Sequence, residues 1–201
     1  SRYYPCGILF NKLMRRKAET FLLIILAAVI AFSIRLFILK IVVVDSYSMT
    51  NTLYPDDQII IFKKNLFTKF KINDIIIFKP CGFTNDVMLT DKLKQKSFIK
   101  RIVATNFDCV KIIDGIPLIN NKIPGIIINQ NFTNYNLKKI RIILENIKIS
   151  EDILYKNEYF VIGDNYTNSI DSRIFGRISR DDIIGKAVFR IYPFNRAGGI
   201  R

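Results

Sequence analysis

The longest apolar run of the chain extends from Thr20 to Leu39, and only Thr20, Ser33 and Arg35 are polar within it. An α-helix rises about 1.5 Å per residue, so about 20 residues cross a hydrocarbon core of roughly 30 Å. The run therefore predicts a single transmembrane anchor at 20–39, with the Arg35 side chain reaching the headgroup layer near the helix end. A buried helix of a soluble domain and a cleaved signal peptide fit less well, because the run has no polar face and no small-residue cleavage site follows it.

Positive charge precedes this run. Four basic residues come shortly before it, opposed by Glu19: Lys12, Arg15, Arg16 and Lys17. Because basic flanks stay on the side from which a helix is inserted, residues 1–19 are expected to form a basic tail on the cytoplasmic or stromal side. Residues 40–201 are then expected on the opposite (trans) side of the membrane.

After Leu39 the pattern changes to short runs of β-branched and aromatic residues separated by polar ones, which is typical of strands. No convincing amphipathic helix lies between these runs. The pattern predicts a mostly β domain at 40–201 with at least seven strands: Lys40–Asp45, Gln58–Lys63, Asp74–Lys79, Phe98–Thr105, Cys109–Asp114, Tyr159–Gly163 and Ile184–Tyr192.

Turn signals refine this organisation. Asp114-Gly115 and Asn120-Asn121 flank the short apolar piece Ile116–Ile119 and predict a meander of antiparallel hairpins. Residues 124–156 are rich in Asn, Ile and Lys and have only weak periodicity. We expect this stretch to be an insertion into the β domain rather than a second domain.

Composition removes several kinds of chemistry. The 201 residues include no His, which excludes Ser-His-Asp and Cys-His catalysis and His metal ligands within this chain. The three Cys residues (Cys6, Cys81 and Cys109) form no Cys-x-x-Cys pair and indicate neither a zinc knuckle nor a disulfide framework. Lys and Arg number 31 against 17 Asp and Glu, and the net charge of +14 suits either an anionic membrane face or a nucleic acid.

A Ser and a Lys can catalyse hydrolysis without His if the Lys is kept neutral. An apolar setting lowers the pKa of the amine until it accepts the proton of the Ser hydroxyl. Ser48 follows the first strand predicted after the apolar run, and Lys100 shares a strand face with Phe98 and Ile102. Taken alone, Lys100 is better explained as a solvated residue of an edge strand, and Ser48 as a turn residue.

The order of several short motifs is more specific than either residue alone. Ser46-Tyr47-Ser48-Met49 is followed by Thr52-Leu53, a strand at Asn73–Phe78, the pair Lys100-Arg101 and the run GDNYTNSIDSRIFGRI, which begins at Gly163. With the apolar run near the start, this order resembles the type I signal peptidases of bacteria, thylakoids and plastids. The resemblance covers most of the chain, and the run from Gly163 is its most specific part.

This resemblance implies a Ser/Lys dyad, with Ser48 as the nucleophile and Lys100 as the general base. It implies that the Ser46 hydroxyl joins the Ser48 backbone N–H in an oxyanion hole and that Ser169 orients the lysine amine. The pair Asp171–Arg173 is implied to brace the site. The fold implied is a transmembrane helix followed by an antiparallel β catalytic domain of the signal-peptidase type.

The resemblance also implies a substrate. Three residues fall where the family lines shallow pockets for small side chains at the first and third positions before the cut: Val42, Val44 and Ile99. The implied reaction is cleavage of preproteins after an Ala-x-Ala type sequence, with no metal or cofactor. The expected partners are signal-peptide-bearing preproteins, membrane lipids and the translocation machinery, at a bacterial inner membrane or a plastid or thylakoid membrane.

The chain departs from the family pattern at two places. Asp45 and Asn51 stand where the family usually has Pro, and the turn at 104–108 reads Ala-Thr-Asn-Phe-Asp in place of Gly-Leu-Pro-Gly-Asp. Neither change removes a reacting group. The alternative is a catalytically degenerate, membrane-anchored binding or scaffold protein of the same fold. A self-cleaving repressor would have a DNA-binding domain where this chain has its apolar run, and no strand interleaves aromatic and basic residues as nucleic-acid binding would require.

Overall fold

The computed structural model describes residues 6–65, 68–80, 96–113, 116–125 and 152–200. The chain divides into two units, Ser1–Lys40 and Ile41–Arg201. The first unit contains the long helix α1 (Cys6–Phe37), which includes most of the segment predicted as an anchor. Its described side chains, from Arg15 to Ser33, are all exposed.

Within the part of the chain that the structure describes, no helix reaches the length and apolarity required of a membrane span. The transmembrane anchor at 20–39 therefore stays a prediction.

The second unit is mainly β. The described strands, in chain order, are β1 (Leu39–Val43), β2 (Gln58–Lys63), β3 (Ile75–Phe78), β4 (Phe98–Ala104), β5 (Cys109–Ile113), β6 (Ile116–Ile119), β7 (Asp152–Ile153), β8 (Glu158–Ile162), β9 (Ile178–Ser179), β10 (Ile183–Tyr192) and β11 (Gly198–Gly199). A short helix, α2 (Ser172–Phe175), lies between β8 and β9. The prediction of a mostly β domain is confirmed.

The strands form two sheets. In the larger one the order is β1-β2-β10-β3-β4-β8-β9, with β11 added to β10, and the smaller one has the order β6-β5-β7. β4 pairs with both of its neighbours in antiparallel fashion. Lys100 on β4 lies opposite Ile76 on β3, and Arg101 on β4 lies opposite Ile162 on β8. The predicted hairpin around Ile116–Ile119 is present as β5 and β6. Most of the predicted insertion, residues 126–151, lies outside the described residues.

Side-chain alternation along β4 distributes its residues among three apolar clusters. Phe98 and Ile102 belong to a cluster with Phe78 and Phe175, whereas Val103 packs in a second cluster and Ile99 against a third. Lys100 therefore lies between two buried apolar neighbours on one face, as the alternation predicts. This position keeps its side chain away from water.

The turn after β4 has an unusual backbone conformation. Thr105 N–H donates to Asp108 Oδ2 at 2.8 Å, and Asp108 N–H donates to the Thr105 carbonyl at 3.0 Å. Phe107 lies in this turn with φ at 65°, and its side chain is 72% exposed. A positive φ favours Gly over a residue with a Cβ atom. This explains why the family pattern has Gly here, and it shows that Phe107 occupies a strained position.

We expect Phe107→Gly to raise the free energy of unfolding by about 0.5–1 kcal/mol, because relief of the left-handed strain exceeds the entropic cost of Gly. Chemical denaturation of the full chain in detergent micelles measures this change. Phe107→Ala is the control, since it removes the exposed ring but keeps a Cβ atom at positive φ. A gain of stability in the Ala variant equal to that in the Gly variant would contradict the backbone explanation.

Candidate active site

Ser48 lies in a short 3-10 turn, Tyr47–Met49, just after β1. The turn is held from both sides because Val44 and Met49 are buried in the same apolar cluster. Ser48 is itself buried. Its carbonyl oxygen accepts a hydrogen bond from the Asn165 backbone N–H at 3.0 Å, which links the turn to the Gly163-Asp164-Asn165 segment.

The Ser48 turn explains one departure from the family pattern. Asn51 has φ at 90°, a left-handed conformation that Asn tolerates but that the ring of Pro cannot adopt. The loop after Met49 therefore follows a backbone path that Pro at position 51 would not allow. Thr52 and Leu53 still reach back to Met49, whose carbonyl accepts both of their backbone N–H groups.

Lys100 approaches Ser48 from β4, although 52 residues separate them in sequence. Lys100 Nζ lies 2.6 Å from Ser48 Oγ and donates to the Ile99 carbonyl at 3.0 Å. The Phe98 ring centroid lies 5.8 Å from the same nitrogen. The Lys100 side chain is only 2% exposed. The structure thus brings the predicted nucleophile and base into direct hydrogen-bonding distance.

The surroundings of Lys100 favour its neutral form. Burial lowers the pKa of Lys100 from its usual 10.5 to about 8, because desolvation disfavours the ammonium ion. Among the nearby charges, Asp171 opposes this lowering most strongly, whereas the positive charge of Arg173 lowers the pKa of Lys100 further. Asp164 and Asp45 act in the same direction as Asp171. At neutral pH about a tenth of the molecules then carry an unprotonated Lys100, enough to act as a base.

Ser46 also faces the predicted nucleophile. Its Oγ lies 3.2 Å from Ser48 Oγ, within hydrogen-bonding distance. A hydroxyl at this position can donate to an oxyanion that forms on a substrate carbonyl bonded to Ser48. The geometry is compatible with the role predicted for Ser46, which stays a prediction.

Ser169 is near the dyad but does not contact Lys100 in the way predicted. Its Oγ is buried and makes no hydrogen bond of normal geometry, to Lys100 or to any other described residue, although its hydroxyl is close enough to Asp171 to help lower the pKa of that carboxylate. It lies against Gly163: a Cβ atom added there would overlap Ser169 Oγ and come within 2.5 Å of the Ser48 carbonyl oxygen. Gly163 therefore allows the Ser48 turn and the Ser169 segment to approach each other. The role of Ser169 in orienting the lysine stays a prediction.

Asp171 and Arg173 form a buried ion pair. Arg173 donates from Nε to Oδ1 and from Nη2 to Oδ2 of Asp171, both at 2.8 Å. Asp171 Oδ2 also accepts the Gly163 N–H, and the Arg173 guanidinium stacks 3.8 Å from the Tyr166 ring centroid. Burial alone would raise the pKa of Asp171, but its contacts with Arg173 and Gly163 outweigh burial and keep it below its usual value. The pair thus fixes the segment that packs against Ser48.

A second buried ion pair was not assigned from the sequence. Arg101 donates to both carboxylate oxygens of Asp164, at 2.9 and 2.7 Å, and to the Asn73 carbonyl at 2.9 Å. The Thr52 hydroxyl donates to the same carboxylate. These contacts join the Ser48 loop, β4 and the Gly163–Asn165 segment. In the sequence, both partners of this ion pair lie in motifs that the family resemblance singled out, the pair Lys100-Arg101 and the run from Gly163.

The dyad opens into a cleft with a volume of about 380 Å³. Ile99 lines this cleft, but Val44 is buried in the core and Val42 packs against the same cluster. Val42 and Val44 therefore do not line the cleft in this structure, and their pocket roles stay predictions. The other lining residues that sequence reasoning did not assign are Asp45, Tyr47, Lys96, Ser97, Phe98, Thr167, Asn168, Ile170 and Ile174. A larger cavity of about 540 Å³, lined in part by Thr52 and Arg101, contains neither Ser48 nor Lys100.

Comparison with known proteins identifies the family. The model of "Signal peptidase, peptidase S26" matches residues 17–192. Signal peptidase I of Leptolyngbya laminosa is 31% identical over 180 residues, which cover 86% of this chain and 78% of that protein. Signal peptidase I P of Bacillus subtilis subsp. natto is 32% identical over 181 residues, covering 86% of this chain and 87% of that protein. The probable thylakoidal processing peptidase 2 of Arabidopsis thaliana is 32% identical over 160 residues, covering 78% of this chain and 39% of that protein.

The fold and the cleft define a mostly β protein with a buried Ser–Lys contact and no His. The chain belongs to the signal peptidase family, peptidase S26. The predictions of this family and of a serine endopeptidase are confirmed.

Proposed function

We propose that this protein removes signal peptides from preproteins by cutting after an Ala-x-Ala type sequence, with Ser48 as nucleophile and Lys100 as general base. The observation that carries this proposal is the 2.6 Å distance between Lys100 Nζ and Ser48 Oγ, together with the lowered pKa of Lys100. The same contact argues against a degenerate scaffold, because burying a Lys costs stability and a protein without catalysis gains nothing from the lowered pKa that burial produces.

The reaction has two stages. Unprotonated Lys100 Nζ takes the Ser48 hydroxyl proton as Oγ bonds to the scissile carbonyl carbon. The C–N bond then breaks, and Lys100 returns the proton to the leaving amine. In the second stage Lys100 takes a proton from water, whose oxygen attacks the acyl-enzyme. The ester bond breaks, Ser48 regains its proton from Lys100, and the signal peptide leaves with a new carboxylate.

The developing oxyanion needs donors at the Ser48 turn. We assign this role to the Ser48 backbone N–H and the Ser46 hydroxyl, whose Oγ lies 3.2 Å from Ser48 Oγ. Removing one such donor typically lowers kcat by about 100- to 1000-fold. The ion pairs Asp171–Arg173 and Arg101–Asp164 do not contact the substrate in this scheme. They position the turn, because their contacts link Gly163 and Thr52 to the elements that carry the dyad.

The substrate is expected to bind as an extended strand. It lies between the segment that carries Val44 and the segment that carries Ile99, so that main-chain hydrogen bonds provide affinity and small pockets select the residues before the cut. Ile99 supports this arrangement because it lines the cleft. Side chains of a strand alternate in direction, so the first and third residues before the cut point into the enzyme and the second points outward.

We further propose that residues 20–39 anchor the protein in the membrane with residues 1–19 on the cytoplasmic or stromal side and the peptidase domain, 40–201, on the trans side. The described apolar side chains of α1 are exposed, as in Phe21 and Leu22 at 66% each. A helix with exposed apolar side chains is more stable in lipid than in water. Holding enzyme and substrate in one bilayer raises their effective concentration. Membrane lipids, preproteins and the translocation machinery are the partners of this proposal.

The peptidase unit also offers apolar side chains for lipid contact. The core packs on one face of the strands β1, β2 and β10, and exposed residues lie on the other: Ile41, Val43, Phe62 and Phe189. Phe189 faces Ile60 in the register of β10 and β2, which places it on the same face as Phe62. This face suits contact with the lipid surface next to the anchored substrate.

The test of this function is cleavage of a preprotein with an Ala-x-Ala site after both proteins are reconstituted in lipid vesicles. Mass spectrometry of the products locates the cut. Cleavage after the second Ala by wild type, and none by Ser48→Ala, is the expected result. Failure of folded wild type to cut several such preproteins at several pH values would favour the scaffold alternative.

The rate of cleavage should depend on pH in a way that follows from Lys100. Because only the unprotonated amine acts as a base, kcat/KM should rise about tenfold per pH unit below the Lys100 pKa of about 8 and level off above it. The measurement uses a peptide substrate without titratable side chains, so that its charge stays constant. A rate that increases as the pH falls below neutral would contradict this assignment.

A further inference from the structure

An ion pair lies at the mouth of the cleft. Lys96 Nζ and Asp45 Oδ2 are 3.4 Å apart, and both residues line the cavity that contains Ser48 and Lys100. Asp45 comes from the segment between β1 and Ser46, whereas Lys96 comes just before β4. The pair therefore joins the two segments between which the substrate strand is expected to bind.

The Asp45–Lys96 ion pair contributes little to the stability of the folded protein. The Asp45 and Lys96 side chains are 67% and 49% exposed, and exposed ion pairs are typically worth less than about 1 kcal/mol because water screens them. Among the described residues that line the cleft, Asp45, Lys96 and Lys100 are the charged ones. Since Lys100 is buried beside Ser48, Asp45 and Lys96 are the exposed charged residues among those described at the cleft.

The position of the pair fits one residue of the substrate. In the extended binding mode proposed above, the first and third residues before the cut point toward the floor of the cleft, where Ile99 lies. The second residue points outward, toward the rim that carries Asp45 and Lys96. A carboxylate and an ammonium side by side at this rim can accept a side chain of either charge.

We propose that Asp45 and Lys96 form a charge-reading subsite for the middle residue of the Ala-x-Ala sequence. This inference rests on the proposed function and assigns the specificity of that same site. Asp45 contacts a basic middle residue and Lys96 an acidic one. While both are present their effects on selectivity balance, so the wild type cuts after Ala-Lys-Ala and Ala-Glu-Ala with similar efficiency.

Removing one member of the pair should create a preference. The readout is the ratio of kcat/KM for a peptide with Lys in the middle position to that for a peptide with Glu. Lys96→Gln should raise this ratio about fivefold, and Asp45→Asn should lower it about fivefold, as expected for exposed charges in contact. The double variant should return to the wild-type ratio. In about 1 M salt, where charges are screened beyond about 3 Å, the differences should collapse.

Controls separate local contact from overall charge. Lys64 and Asp181 form another ion pair, with Lys64 Nζ 3.7 Å from Asp181 Oδ1 and side chains that are 27% and 97% exposed, and neither residue lines the cleft. Lys64→Gln and Asp181→Asn change the net charge as the test variants do and should leave the ratio unaltered. The dissociation constants of the Lys and Glu peptides, measured with each variant in a Ser48→Ala background, give the corresponding ratio of affinities without turnover.

The outcomes distinguish this proposal from the proposed function. If Lys96→Gln and Asp45→Asn cut a peptide with Gln in the middle but keep the wild-type ratio for Lys and Glu, the charge-reading subsite is refuted and the peptidase function stands. A change of the ratio that the Lys64 and Asp181 variants reproduce refutes the subsite as well. If wild type cuts none of the peptides, the proposed function fails, and the dissociation constants alone decide whether the rim reads charge.

Discussion

Lys100→Met is expected to lower kcat/KM for signal-peptide cleavage by about 10⁴-fold or more, because the proposed reaction then lacks its base for the Ser48 proton. Met has nearly the length of Lys and no ionisable group, so the apolar surroundings of residue 100 stay filled. The 2.6 Å contact with Ser48 Oγ is lost with the amine. Kinetics with a reconstituted preprotein measure the change.

Two comparisons show whether this loss belongs to the dyad. Ser48→Ala should lose about as much activity as Lys100→Met, and the double variant should lose no more than either, since residues that act as a unit are not additive. Lys111→Met is the matched control, because Lys111 lies on β5 in the smaller sheet. Substantial turnover by folded Lys100→Met would refute the assignment of the base.

The same variant should be more stable than the wild type at neutral pH. The folded protein binds a proton at Lys100 less readily than the unfolded chain, because the pKa falls from 10.5 to about 8 on folding. The buried Lys therefore destabilises the fold most below pH 8, and this cost diminishes as the pH rises toward the unfolded value. Denaturation of Lys100→Met should show a stability gain that shrinks over this range. An equal gain at all pH values would show that the Lys100 pKa is not lowered.

Asp171→Ala is expected to reduce the free energy of unfolding by about 3–5 kcal/mol, because it leaves the Arg173 guanidinium buried without its partner. Asp171 accepts two hydrogen bonds from the Arg173 side chain and one from the Gly163 N–H. All three are lost together. Where the variant still folds, its kcat should also fall, since Gly163 contacts both Ser169 and the Ser48 turn.

Chemical denaturation of the full chain in detergent measures the stability change. Asp181→Ala is the matched control, because the Asp181 side chain is 97% exposed and its 3.7 Å ion pair with Lys64 should contribute less than about 1 kcal/mol. Replacing the whole buried pair by Asp171→Leu and Arg173→Met should cost less than Asp171→Ala alone, since no buried charge then lacks a partner. A loss below 1 kcal/mol in Asp171→Ala would contradict the structural role assigned to this pair.

Local patterns along the chain predicted most of the strands. Short runs of β-branched and aromatic residues at 58–63 and 98–105 predicted strands whose observed ends differ from the predicted ones by at most one residue. Local propensity also indicated the hairpin of β5 and β6, because turn residues and short apolar runs act on their nearest neighbours. Very short strands such as β9 and β11 were not predicted, since two residues carry too little pattern and owe their pairing to β8 and β10.

The sequence likewise predicted some features of the candidate site and not others. The motif order singled out Ser48, Lys100 and the block from Gly163, because the residue types needed for His-free hydrolysis can be identified directly from the sequence. It could not place Val44, which the resemblance suggested for a pocket and which is buried in the core instead. Whether a strand residue faces the core or a cleft depends on the elements that cover each face.

The sequence by itself determined a mostly β chain, a set of residues able to carry out Ser/Lys chemistry and a family resemblance. Only the tertiary structure decided that Ser48 and Lys100 meet, that Lys100 loses most of its hydration and that Asp45 lies beside Lys96 at the cleft mouth. The reason is physical. Strand pattern and turn preference arise between neighbouring residues, whereas a 2.6 Å contact across 52 residues and a lowered pKa arise from how distant segments exclude water together.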